Sequence, residues 1–153
     1  MNVRSITLGV YGGLAGGVVF GVMMGMMGML PMIGKMVGQP SAAAGFIVHL
    51  INSAIIGAGF AVLFGRSVSG IGDGLRKGLL YGGVWWLLGP LTLMPLFMGM
   101  GLGVNWNVAA AVAMLPSLVG HLMYGAILGS GYVWLRERSP GYAAAPISQV
   151  ISS

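Results

Sequence analysis

Long apolar stretches separated by short clusters of charge organise the whole chain. Charged side chains are missing from residues 6–34, 36–65 and 78–135, and again after Arg138. A membrane-spanning helix needs about 20 consecutive apolar residues, so the first two stretches hold one span each and the third holds two. A bilayer core offers no water, so each segment must pair its own N–H and C=O groups, which a helix of this length does. The pattern predicts spans at 6–30, 42–65, 78–99 and 113–135. Outer connections fall at 31–41 and 100–112, and an inner loop at 66–77. Pro31, Pro40 and Pro116 mark the outer turns, where a missing N–H costs least. Pro90 and Pro95 predict a kink in the third span, with Thr92 available to re-pair a freed carbonyl. The glycine-rich segment 70–74 lacks the strand and spacing of a phosphate-binding loop and reads as a flexible linker.

Composition strengthens this picture. Hydrophobic residues make up 57% of the chain and charged residues 6%, whereas soluble domains carry about a quarter charged residues. The expected fold class is an all-α membrane protein, a bundle of four transmembrane helices forming one domain over 1–138. A polar tail follows at 139–153. The net charge of +5 does not point to nucleic acid, because the basic residues are not grouped with aromatics on a solvated face. Arg4, Arg66, Arg76, Lys77, Arg136 and Arg138 share one side of a four-span topology, and Lys35 lies on the other. The positive-inside rule then sets both termini in the cytoplasm, as in a prokaryotic inner-membrane protein. With no cysteine, disulfides and thiolate chemistry are excluded.

The chain also repeats itself. Tyr11-Gly12-Gly13 recurs as Tyr81-Gly82-Gly83, and His49-Leu50 as His121-Leu122. In register with the histidines, Gly57 matches Gly129, Phe60 matches Tyr132 and Arg66 matches Arg138. Two copies, 6–66 and 78–138, each with an even number of spans, insert in the same orientation. They predict two parallel-repeat hairpins about a pseudo-two-fold axis along the membrane normal. The segments 78–86, Leu93-Met94-Pro95 and 120–125 resemble those of small four-span prokaryotic membrane proteins with a duplicated hairpin. That resemblance implies the same architecture and no particular activity.

Gly9, Gly13, Gly17, Gly21 and Gly25 recur every four residues, a ridge of the first helix without side chains. Lipid is as apolar as leucine, so helices associate there through close van der Waals contact. Gly57, Gly125 and Gly129 are the matching small positions on the second and fourth spans. The partner is either a helix of the same chain or another protomer or larger membrane complex.

His49 and His121 are the ionisable side chains expected deep in the bilayer, about two helical turns below the outer ends of their spans. Asn52 and Ser53 lie beside the first, Ser117 and Tyr124 beside the second. Three readings stay open for this pair. The histidines are polar glue between helices, or axial ligands of a b-type haem, or part of a soft-metal site with methionine. Nine of the thirteen methionines lie toward the outer half, and thioether with imidazole suits Cu(I). Met32 and Met36 are four residues apart, which is similar to the Met-x-x-x-Met element of Ctr-type copper transporters.

Asp73 and Glu137, the two acids, fall outside the predicted bilayer core. No intramembrane carboxylate is therefore available for proton coupling. His49 and Ser53 share one turn, which does not supply a nucleophile and base on separate elements with an oxyanion hole. No enzyme is expected. The leading expectation is a non-catalytic membrane scaffold or accessory protein. The alternatives are a haem or copper binding protein using His49 and His121, and a small channel or transporter through Asn52, Ser53 and Tyr124.

Overall fold

The computed structural model describes residues 3–139. The expected tail therefore lies outside the described residues, Ser139 apart. Among the described residues every regular element is a helix. In order they are α1 (Val3–Met26), α2 (Leu30–Lys35), α3 (Ala42–Phe64), α4 (Ile71–Leu88), a π-helical turn (Gly89–Leu93), α5 (Met94–Phe97), α6 (Val108–Ala113) and α7 (Leu115–Glu137). Four segments are long and apolar enough to cross a membrane: α1, α3, the run Ile71–Phe97, and α7. Their mean hydropathies of 1.7, 2.0, 1.4 and 1.3 accompany many large apolar side chains left exposed, among them Ile47, Ile51, Ile55, Leu63 and Leu80. Such a surface belongs in hydrocarbon rather than water.

Three boundaries differ from those expected. The first span ends at Met26 because Gly28 takes φ +69°, and Pro31 starts α2 back across the bundle end. The segment 70–74 is no linker: Gly70 is the N-cap and Ile71 onward is helical. Asp73 in the first turn accepts from Ser69 N–H at 3.0 Å and binds Lys77 at 2.8 Å. Carboxylate at a helix start and an i,i+4 ion pair both favour the helix there. The last span begins at Leu115, after α6 and a break at Met114, with Pro116 in its first turn. At Pro90 the third span widens into the π turn, and Thr92 donates to Leu87 O at 2.7 Å. One carbonyl left over by the wider turn is thereby re-paired.

Two glycine crossings hold the helices together. In the first, α1 meets α3 so closely that a Cβ on Gly57 would lie 2.8 Å from Gly13 Cα, and one on Gly9 would lie 2.7 Å from Ala61 Cβ. In the second, α4 meets α7, where a Cβ on Gly129 would lie 3.0 Å from Gly78 Cα and one on Gly125 would lie 3.1 Å from Gly82 Cα. A second ridge of α1, Gly12 and Gly16, turns toward Leu128 and Tyr124 of α7. Thus α1 lies between α3 and α7, and α7 lies between α1 and α4.

Contact between α3 and α4 is slight by comparison. It centres on an aromatic cluster at the end of the bundle carrying Ser5 and Arg136. There Tyr81 packs edge-on against Phe60, Phe64 and Trp85, and its hydroxyl donates to Ile56 O at 3.0 Å. At the same end Ser5 Oγ and the Tyr132 hydroxyl are 2.7 Å apart, and Arg136 Nη1 donates to Val68 O at 2.8 Å. Toward the opposite end α3 and α4 diverge.

The crossings give a contrast measurable by unfolding in mixed micelles. Gly57→Ala is expected to cost about 1–3 kcal/mol, the usual range for overpacking a tight contact. Gly72→Ala, where an added Cβ meets nothing within 4 Å, is expected to be neutral or stabilising by up to about 1 kcal/mol.

Candidate intramembrane binding site

Where α3 and α4 part, a cavity of about 320 Å³ opens between them, backed by α1, α2 and α7. An apolar cavity of roughly 150 Å³ already admits a benzene-sized guest, so this space has room for a molecule of several heavy atoms. His49, His121, Met32 and Met36 all line it. Asn52, Ser53 and Tyr124 line it as well. The structure therefore brings to one cavity, from α2 and its C-cap, α3 and α7, the residues that sequence chemistry grouped as one soft-metal candidate and those it marked as polar within the membrane.

Each imidazole has one nitrogen committed. His49 Nε2 is 2.9 Å from Gly17 O across the α1–α3 crossing. His121 Nδ1 is 2.8 Å from Ser117 O within its own helix. A carbonyl accepts only, so the ring proton sits on the bonded nitrogen of each neutral imidazole. His49 Nδ1 and His121 Nε2 then carry the free lone pairs. The second of these faces the π turn: a Cβ on Gly89 would lie 3.6 Å from it. Two nearby hydroxyls are satisfied by the backbone, Ser53 on His49 O at 2.8 Å and Tyr124 on Ser53 O at 2.8 Å.

Sequence reasoning missed Phe20. Its ring meets His49 edge-on at 5.4 Å between centroids and His121 at 4.9 Å, so one phenyl from α1 touches both imidazoles. It continues the Gly12–Gly16 ridge one turn on, where a large residue after two glycines signals a side chain pressed into the neighbouring helix. Trp85, Pro90 and Met94 were also passed over as wall residues, because nothing in an apolar run says which side chains face inward. Haem held by both histidines does not fit this arrangement. The porphyrin would have to occupy the space that Phe20 fills between α3 and α7.

The glycines noted in the sequence go elsewhere. Gly9, Gly13 and Gly17 meet α3 at Gly57 and Ser53, and Gly21 meets Phe46 and His49. Gly125 and Gly129 meet Gly78, Gly82 and Gly74, while Gly25 lies under Leu30 at the α1–α2 turn. These faces are used within the chain. Comparisons with protein-family models, curated proteins and solved structures yield no match.

The unequal bonding of the two histidines generates a prediction. His49→Ala removes a link between two helices, and His121→Ala removes one inside a single helix. The first is expected to lower stability by about 1 kcal/mol more than the second, the net value of a typical hydrogen bond. Parallel unfolding titrations of the two variants measure the difference.

Proposed function

We propose that the protein is a non-catalytic membrane binding protein that holds a small ligand in the cleft between α3 and α4. The convergence of His49, His121, Met32 and Met36 on one cavity carries this reading. Protein interiors pack to crystal-like density with few voids larger than a water molecule. A bundle needing cohesion alone would fill this space, and here two histidines and six methionines line it.

A scaffold joining partners through its glycine faces has less support, since those faces are occupied by helices of the same chain. A pore finds little either, because Phe60, buried Tyr81 and Tyr132 fill the bundle below the cavity.

Topology follows from the charges. Arg66, Arg76, Lys77 and Arg136 gather at the end where Ser5 meets Tyr132, and Lys35 closes α2 at the other. The positive-inside rule puts the first end in the cytoplasm of a prokaryotic-type inner membrane and the cavity toward the outer face. The chain reads as two hairpins inserted in parallel about an axis along the membrane normal. Support comes from the two crossings, each between the long helices of one hairpin. Packing departs from equivalence where it matters for binding. Tyr11 is exposed whereas its counterpart Tyr81 is buried, and α1 lies along α7 whereas α4 stands off α3. That departure opens the cleft.

Native mass spectrometry of protein purified from metal-replete cells tests the binding reading. Wild type is expected to retain a bound species, and Met94→Trp, which fills the cavity, is expected to lose it with unchanged helical content and melting. Absence of any bound species from wild type, or equal retention by the filled variant, would overturn the proposal.

A further inference from the structure

Resting on that binding reading, we infer that the cavity is a Cu(I) site made of methionine thioethers and the His121 imidazole. Six of its 21 lining residues are methionine, namely Met24, Met29, Met32, Met36, Met94 and Met114. The whole chain has 13 in 153, so the wall holds more than three times its share of sulfur. Methionine is a gap-filler in cores, yet here six methionines line a cavity.

The other donor matches. His121 Nε2 is unprotonated, because Nδ1 is bonded to Ser117 O, and it faces the π turn at Gly89, part of the cavity wall. His49, bonded to Gly17 O and parted from His121 by the Phe20 ring, is not a ligand. Such fixing of the tautomer by a backbone carbonyl is how proteins orient a metal-binding imidazole. The lining offers no carboxylate and no thiolate, and among the described residues no three of His, Cys, Asp or Glu come together. Calcium and magnesium need hard oxygen ligands, and structural zinc takes four strong donors. Neutral thioethers and imidazoles instead select a soft ion. Charge points the same way. The Born cost of burying an ion rises with the square of its charge, so a monovalent cation enters an uncharged cavity far more easily than a divalent one.

The test uses the full chain in nanodiscs, titrated anaerobically with Cu(I) in competition with bicinchoninate. Wild type is expected to withdraw about one Cu(I) per chain, with sulfur and nitrogen neighbours in its X-ray absorption spectrum. The combined variant Met32→Leu, Met36→Leu, Met94→Leu preserves volume closely and is expected to weaken binding at least tenfold. Met26→Leu, at an 85% exposed position outside the cavity, is expected to bind as wild type does. No competition by wild type, or equal binding by the triple variant and the Met26 control, would overturn the copper assignment. If wild type ignores Cu(I) yet carries an organic molecule that Met94→Trp excludes, copper falls and the binding reading survives. If neither is seen, both fall.

Discussion

Backbone-to-backbone contact at glycine is the constraint on which this protein rests. In lipid there is no hydrophobic gain from bringing two apolar helices together, so their attraction comes from dispersion at close range and from buried polar bonds. Gly13 against Gly57 and Gly78 against Gly129 allow that approach. A single added methyl would lie inside van der Waals distance of the opposite backbone, which leaves the crossings no freedom to slide. Everything between them is positioned by them: Gly17 O is close enough to receive His49 Nε2, and Ser53 O to receive the Tyr124 hydroxyl.

A bundle locked at two crossings need not be closed on all sides. With α1 wedged between α3 and α7, the fourth side is free to differ along its length. At one end Tyr81 bridges it through aromatic edges and a bond to Ile56 O. At the other, the third span carries the π turn at Pro90 and α1 ends at Met26, and the cavity lies there between α3 and α4. His49 owes its burial to the α1–α3 crossing, and of the six methionines Met29, Met32 and Met36 belong to α2 and its two caps while Met94 directly follows the π turn.

Much of this was legible in the sequence, and the remainder follows a pattern. The four apolar segments, the every-fourth glycines and the two intramembrane histidines each reflect a rule that operates along one helix. Which face meets which neighbour was not legible, because lipid-facing and core-facing positions are both apolar in a span. Phe20 therefore gave no hint that it separates the histidines, although Gly12 and Gly16 before it outlined a second contact ridge. The helix start at Ile71 was masked by Arg76 and Lys77. Those charges end an apolar run without ending a helix, and the Asp73–Lys77 spacing was the available clue. The unequal roles of Tyr11 and Tyr81 were hidden by their identical local sequence, since tertiary packing alone separates them.

The central claim is that the glycine crossings keep α3 and α4 apart in a bilayer over the half of the bundle holding the histidines. Ile51 on α3 and Leu88 on α4 are both exposed there, and the absence of native cysteine makes paired spin labels simple to introduce. A pulsed electron paramagnetic resonance distance between labels at these two sites, in lipid nanodiscs, measures the gap directly. A single narrow distribution at the separation of the open cleft is the expected result. A distribution collapsed to that of helices in contact, with axes about 8–10 Å apart, would contradict it.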